Sequence, residues 1–312
     1  MSSLKIILPG GAGLVGQNLV PRLKAQGYEN IVIIDKNAHN LRILQKMHPE
    51  TTCICSDLSK PGEWNNFFSD AHIVIMLQAQ IGGFNEKDFI KNNEVATKNI
   101  LQTCKQHRGL RLIHISSSVV ASTADDLYTK TKRKQEKMVL DSGIICPILR
   151  PTLMFGWFDR KHLGWLSRFM RKVPIFPVPG NGRFVRQPLY VVDFCNIIIA
   201  CVKDIKFNGI YNISGQQRIF YIDLVNHIKR HSGSSSLILK IPYYLFYSLL
   251  LIWALFDKNP PFTIKQLSAL VAGDEFEVID WETLFGIEAT PLESALMETF
   301  NHSDFSAIEL EF

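Results

Sequence analysis

Pro9-Gly10-Gly11-Ala12-Gly13-Leu14-Val15-Gly16 follows a short apolar run at 4–8 and opens a stretch with helical periodicity at 14–26. Gly10 permits a tight turn after a strand, Gly13 lets backbone approach a pyrophosphate, and Gly16 lets the following helix pack closely on the sheet. The free N–H groups at the start of that helix, around Leu14 and Val15, offer partial positive charge to phosphates. Asp35 ends the next apolar run, about 20 residues on, where a carboxylate accepts hydrogen bonds from ribose hydroxyls. It also repels a 2′-phosphate, so the expected cofactor is NAD rather than NADP, although Lys36 and Arg42 are close in sequence. A lone glycine pattern is a weak signal. Its position between strand and helix, with an acidic residue at the right distance, makes it specific.

A second motif gives the first a chemical purpose. Tyr128-Thr129-Lys130-Thr131-Lys132 comes after Ser116-Ser117-Ser118, which ends another apolar run. Tyr128 and Lys132 are four apart and share one face of a helix. An ammonium near a phenol favours the phenolate and lowers the tyrosine pKa, as does the positive nicotinamide ring of bound NAD. That arrangement suits a general base for hydride chemistry at a hydroxyl or ketone. Tyr-x-x-x-Lys alone is common on surface helices; the serine-rich strand end before it raises its weight.

Strand-like runs at 4–8, 31–34, 52–55, 73–77, 110–115 and 144–149 alternate with helical stretches, notably 14–26 and 87–107. Strands apolar on both faces, separated by helices, predict a parallel sheet covered on both sides. The expected fold is therefore α/β: a Rossmann-type doubly wound parallel sheet with a smaller, mainly helical C-terminal substrate domain. The NAD-binding domain is expected over residues 1–155 and about 187–213, and the substrate domain over 156–186 and 214–312. From 155 to 188, glycine, proline and aromatic residues thicken, as in irregular chain near a binding cleft. A strand-like run at 189–192, a helix at 194–202 and a strand at 210–213 follow.

With these motifs in place, the chain resembles the extended short-chain dehydrogenase/reductase family, the NAD-dependent epimerase/dehydratase group of nucleotide-sugar-modifying type, over about residues 1–215. Cys55-Ser56-Asp57-Leu58 matches the family step where the aspartate meets adenine, which assigns Asp57 and Leu58 to the cofactor. Met76-Leu77-Gln78-Ala79-Gln80 is similar to the stretch beside the cofactor at the fourth strand, bringing in Leu77, Gln78 and Ala79. Asn93 in Asn-Glu-Val-Ala-Thr resembles the asparagine that shapes the active site. Pro151 in Arg150-Pro151-x-x-x-Phe155-Gly156 corresponds to the segment contacting nicotinamide. The resemblance implies that Ser117 bonds the substrate oxygen, Tyr128 moves the proton and also contacts the cofactor, and Lys132 tunes Tyr128 and holds the ribose. Glu136 also stands where the family has it. Gly180-Asn181-Gly182-Arg183-Phe184-Val185-Arg186 resembles the segment whose arginine grips a substrate diphosphate, so Arg186 and Ser118 are assigned to substrate. A guanidinium fork suits two phosphate oxygens; the reading of Arg186 as a structural arginine stays open. Asp193 is read as structural.

Two departures bear on substrate. Val120-Ala121-Ser122 replaces the family's Val-Tyr-Gly, and the connection from Ser117 to Tyr128 is short for a sugar-pocket loop. The leading expectation is an NAD-dependent epimerase, or a related dehydratase, acting on a nucleotide sugar through a transient ketone, in polysaccharide biosynthesis. The alternatives are a dehydrogenase or reductase of a lipidic alcohol or ketone, and a non-catalytic NAD-binding assembly subunit. A homodimer through 87–107 and 127–141 is expected by resemblance.

Bulk properties set limits. Net charge is +5, which fits an anionic ligand and is too weak for nucleic-acid binding. Six scattered cysteines imply no disulfide framework and no metal site, hence a reducing compartment. The N-terminal apolar run is too short for a signal peptide, so a cytoplasmic location is expected. One stretch resists assignment: residues 241–256 carry no charge. They are shorter than the roughly 20 residues a spanning helix needs. The first expectation is a core helix of the substrate domain. The second is an aromatic-rich helix in a membrane interface, with the protein at the inner face of a membrane.

Overall fold

In the computed structural model, which describes residues 4–83, 85–107, 109–256, 263–272 and 277–311, seven strands lie side by side in one parallel sheet. They are β1 (Ile6–Pro9), β2 (Ile31–Asp35), β3 (Thr52–Cys55), β4 (Ile73–Met76), β5 (Arg111–Ile115), β6 (Ile148–Pro151) and β11 (Ile210–Ile213). Their order is β11-β6-β5-β4-β1-β2-β3, so the winding reverses between β1 and β4. In such sheets, ligands bind outside the carboxyl ends of the strands at this reversal. The remaining strands make three two-stranded pairs: β7 (Met154–Phe155) with β10 (Leu189–Tyr190), β9 (Val185–Arg186) with β12 (Ile219–Phe220), and β8 (Ile175–Pro179) with β13 (Leu237–Ile241).

The helices are α1 (Leu14–Ala25), α2 (Ala38–Met47), α3 (Glu86–Phe89), α4 (Ala96–Gln106), α5 (Leu127–Asp141), α6 (Leu163–Lys172), α7 (Val191–Lys203), α8 (Tyr221–Ser232), α9 (Tyr243–Phe256), α10 (Ile264–Ala272), α11 (Trp281–Phe285) and α12 (Leu292–Asn301). Alternate strand residues point to opposite faces. Ile6, Leu8, Ile31, Ile33, Ile73 and Ile75 thus pack with Leu19, Val20 and Leu23 of α1 and with Phe194 and Ile198 of α7. Ile7, Val32, Ile34, Val74 and Met76 pack on the other face with Ile100, Leu101 and Cys104 of α4 and Val139 of α5. Both faces are dry, which is why these strands read as unbroken apolar runs. A third core joins Phe155, Leu166, Met170, Phe176, Val178, Leu224, Ile228 and Leu296. Trp281 and Phe285 of α11 return to the first core.

Some expectations shift. The run at 144–149 becomes a strand only from Ile148, because the chain before it passes through Pro147 with Ile145 in solvent. Strand β10 stops at Tyr190, and α7 starts at Val191 with Asp193 favouring its positive N-terminus. The helix expected at 87–107 is interrupted by a π-helical turn at Ile90–Val95 that holds Asn93. The core-helix reading of 241–256 is overturned: α9 buries only Phe246. The third core is already filled by α6, α8 and α12, so α9 lies outside it.

Helix α1 meets the glycine turn at backbone distance. A Cβ built on Gly16 would sit 2.0 Å from the Gly11 carbonyl oxygen. A Gly16→Ala variant is expected to lose about 1–3 kcal/mol of stability, as overpacking does, and to bind NAD at least about tenfold more weakly. Urea denaturation and an NAD titration check this.

Candidate active site and cofactor cleft

The first β-to-α turn is built by close approach. Gly10 has a φ of +76°, and a Cβ there would fall 2.4 Å from the Gln78 Cα. The turn after β1 and the chain after β4 therefore touch at the topological reversal. Gly13 is the N-cap of α1 and supplies no side-chain cap, and the first turn, with Leu14 and Val15, holds no acidic residue. Asp35 accepts hydrogen bonds from the N–H groups of Ala12 (3.1 Å) and Asn37 (2.9 Å). Burial raises its pKa, and these backbone bonds oppose the rise.

The other residues expected at the cofactor surround this turn. The Leu77 N–H donates to the Pro9 carbonyl at 2.9 Å, which fixes the Leu77-Gln78-Ala79 stretch beside the glycines. Leu58 is buried against Val32 and Val74. Burial pushes the Asp57 carboxyl up, but bonds from Lys91 and Ser59 outweigh it and bring the pKa to about 2. The Lys91–Asp57 ion pair is 2.8 Å long. Pro151 ends β6 and pairs with Ile213.

The proton-transfer residues converge at the ends of β5 and α5. Ser117 caps a short 3-10 turn, Ser118–Ala121, and its hydroxyl accepts from Val119 N at 3.4 Å. Asp126 caps α5 by accepting from Thr129 N at 3.0 Å, which places Tyr128 in the first turn. Lys132 is fully buried: its ammonium donates to the Ile115 carbonyl at 3.0 Å and to the Gln135 carboxamide. The Gln135 amide donates in turn to Thr97 Oγ1 (2.9 Å) and the Gln78 carbonyl (3.4 Å). Gln78 Nε2 donates to the same Thr97 oxygen at 3.1 Å. Asn93 is wholly buried, donating to Thr131 Oγ1 at 2.9 Å and accepting from Gln80 N at 2.6 Å. It thereby ties the π-helical turn to α5.

The electrostatics correct one expectation. Lys132 was expected to lower the Tyr128 pKa, yet its ammonium is committed to Ile115 and Gln135. Burial therefore raises the Tyr128 pKa, with the Ser117 hydrogen bond opposing and the Asp126 charge adding to the rise. Burial also pushes Lys132 down to about 7 despite the Glu136 carboxylate. His114, buried behind it, is held neutral by burial and by the Lys132 charge. The charge of bound NAD remains as the lowering influence on Tyr128.

Glu136 has a structural role that its sequence position only hinted at. It accepts from Ser116 Oγ and makes a bidentate pair with Arg150, one arm 3.0 Å long. That clamp locks α5 to β5 and β6. Gln135, Thr97 and Thr131 escaped the sequence reading because each is an ordinary polar residue whose role arises only from contacts between distant elements.

On the substrate side, residues 156–162 form a strap over the cleft. Asn18 of α1 donates to the Trp157 carbonyl at 3.0 Å, and Lys161 donates to the Ile81 carbonyl at 2.8 Å. Phe158 carries a positive φ of 68° within it. Asp159 steadies the strap by accepting from the N–H groups of Lys161, His162 and Gly164, each at 2.9 Å. Ser118 is buried beside Ser117. Arg186 is buried and donates to the carbonyls of Leu270 and Val185. In this state its guanidinium anchors α10. Asp193 accepts from Thr290 N (3.1 Å) and Oγ1 (2.6 Å), a structural tie. His227, His231 and Glu293 cluster where α8 meets α12, a group the sequence reading did not single out.

A glycine turn at a topological reversal, a carboxylate fastened to it and a Ser–Tyr–Lys set lie together, as expected of an NAD-dependent dehydrogenase-type site. The chain belongs to the NAD-dependent epimerase/dehydratase family, whose model matches residues 6–214. The cleft fits the cofactor of that family: close backbone approach where a Cβ cannot stand, and an acid-free helix start.

Among related proteins, the chain is 28% identical over 201 residues to the mitochondrial NADH dehydrogenase [ubiquinone] 1 alpha subcomplex subunit 9 of Arabidopsis thaliana, covering 62% of this chain and 49% of that one. It is 27% identical over 197 residues to the decarboxylating sterol-4-alpha-carboxylate 3-dehydrogenase of Homo sapiens, covering 56% and 51%. The chain thus spans about half the length of these curated relatives. In fold it is similar to UDP-glucuronic acid 4-epimerase from Bacillus cereus, solved with UDP-glucuronic acid and NAD. That likeness has a TM-score of 0.73 at 20% identity and covers 96% of this chain and 98% of that one.

Lys132 titrates near 7 in the folded chain and near 10.4 when unfolded. A depressed folded pKa contributes stability that is present above the unfolded value and lost as pH falls through the folded one. NAD-free wild type is therefore expected to gain stability relative to Lys132→Met from about pH 7 to about pH 10. Parallel thermal melts of the two proteins across that range check it.

Proposed function

We propose that this protein is an NAD-dependent epimerase, or a closely related dehydratase, of a nucleotide-activated sugar. The observation that carries the proposal is the convergence of Ser117, Tyr128 and a buried Lys132 beside the glycine turn of an NAD cleft. Bound NAD supplies the hydride acceptor and donor. Tyr128 accepts the substrate hydroxyl proton at its phenolic oxygen as the hydride leaves the carbinol carbon, giving a ketone. Ser117 and Ser118 hold the substrate oxygen. Lys132, braced by Gln135 and Ile115, holds the cofactor ribose. In an epimerase the ketone turns within the pocket and takes the hydride back on its other face, while Tyr128 returns the proton.

Two observations support a sugar nucleotide: the family match, and a fold shared over 96% of the chain with a UDP-glucuronic acid 4-epimerase. In this reading Arg186 leaves Leu270 to grip the substrate diphosphate, and the product supplies polysaccharide assembly. The reading includes a cytoplasmic homodimer packed through α4 and α5, whose flank exposes Val95 and Leu140. A second reading, oxidation of a lipidic alcohol, is favoured by the exposed apolar α9 and by the short loop between Ser117 and Tyr128. It differs in one respect: its NAD(H) exchanges with solvent at each turnover.

Tyr128→Phe is expected to lower kcat by about 10²–10⁴-fold, the usual contribution of a general acid–base, while NAD content and melting temperature stay near those of wild type. Chromatographic separation of C4-epimeric UDP-hexoses and UDP-hexuronates after incubation reads the activity. If wild type converts none of these nucleotide sugars yet reduces added NAD with a hydrophobic alcohol, the lipidic reading replaces the first.

A further inference from the structure

We infer that α9 and the neighbouring β8–β13 sheet form a docking surface for an anionic lipid bilayer. Helix α9 reads Tyr-Tyr-Leu-Phe-Tyr-Ser-Leu-Leu-Leu-Ile-Trp-Ala-Leu-Phe, with only Phe246 buried. Tyr244, Leu255 and Phe256 are more than 80% exposed, and Leu245, Ile252 and Trp253 are more than half exposed. An apolar helix of this length is either a core element or an interfacial one, and burial rules out the core.

The adjoining sheet continues the same surface. Ile175 pairs with Leu237, Pro177 with Leu239, and Pro179 with Ile241, so these positions share one face. Ile175, Leu237 and Leu239 on that face are exposed. The second residue of each pair precedes or enters the turn at Pro242 that starts α9. Strand β13 thus leads directly into α9 and both expose apolar side chains, where a soluble monomer keeps such patches small.

Its geometry and charge favour lipid over a protein partner. From 251 to 256 every residue is exposed, so the apolar side chains point in all directions around the axis. A partner helix covers one stripe of about 100°, whereas lipid surrounds an inserted helix. Tyr243, Tyr244, Tyr247 and Trp253 are the residue types that settle at the headgroup level. The 14 residues of α9 span about 21 Å, short of the roughly 30 Å hydrocarbon core. Among the described residues no helix is long and apolar enough to cross a membrane, so α9 enters one leaflet. The two segments that build this side, 160–192 and 224–256, contain no aspartate or glutamate. Arg171 and Lys172 end α6 just before β8, and Lys240 lies on β13; all three are exposed. Exposed cations beside an apolar surface complement anionic headgroups.

The test is flotation of the full chain with vesicles of phosphatidylcholine alone or mixed with phosphatidylglycerol. Wild type is expected to float with the mixed vesicles and more weakly with the neutral ones. A Leu251→Glu/Leu255→Glu variant is expected to lose at least about tenfold in vesicle affinity, the factor for one leucine's burial, while keeping wild-type NAD content and melting temperature. Lys172→Glu/Lys240→Glu is expected to remove the preference for phosphatidylglycerol. A fluorescence blue shift on vesicle addition that vanishes in Trp253→Phe would place α9 itself in the lipid. Wild type left unbound by mixed vesicles overturns the inference, as does undiminished flotation of the double-glutamate variant. So does light scattering showing that this variant splits a dimer which ignores vesicles, because the surface then belongs to a second copy. The outcome is independent of the epimerase reading, which the nucleotide-sugar assay decides.

Discussion

The structure depends on backbone meeting backbone where the sheet reverses its winding. Gly16 lets α1 rest on the Gly11 carbonyl, and Gly10 lets the first turn lie against the backbone of Gln78. No residue with a Cβ can stand in either place without moving a strand or a helix. These contacts bring a helix N-terminus to the carboxyl ends of β1 and β4, where dipole and unpaired N–H groups favour an anion. Asp35 is fastened to the same turn through Ala12 N and sets the opposite charge beside it.

Gln78 joins this cleft to the proton-transfer machinery. Its backbone touches Gly10, its carbonyl accepts from Gln135, and its amide reaches Thr97. Gln135 holds Lys132, and Lys132 reaches back to the Ile115 carbonyl at the end of β5. The glycine turn and α5 are thus linked by one buried polar network. The Glu136–Arg150 pair fixes the same helix from its other side. Burial raises the Tyr128 pKa in the free chain.

Local pattern made much of this legible from sequence. Strands buried on both faces read as apolar runs, so the seven-stranded sheet, α1 and α5 could be placed closely. The turn holding Gly10, Gly13 and Gly16 could be placed because its spacing reflects a single strand-to-helix step. Contacts between elements distant in the chain were beyond such reading: Gln135 with Thr97, Asn93 with Thr131, Arg186 with Leu270. Lys132 shows the difference well. Its position on the Tyr128 face was evident, but the Ile115 carbonyl that holds its ammonium was not. α9 was misread for the opposite reason, since an uncharged run looks like core until the core is found full.

The central claim is that this chain holds NAD in a cleft joined to Ser117, Tyr128 and Lys132 and recycles it on one substrate. Denaturing the purified protein and quantifying released NAD(H) by mass spectrometry tests that claim most directly. Near-stoichiometric NAD carried through purification is the predicted result. A chain that emerges empty and binds no added NAD would contradict the account.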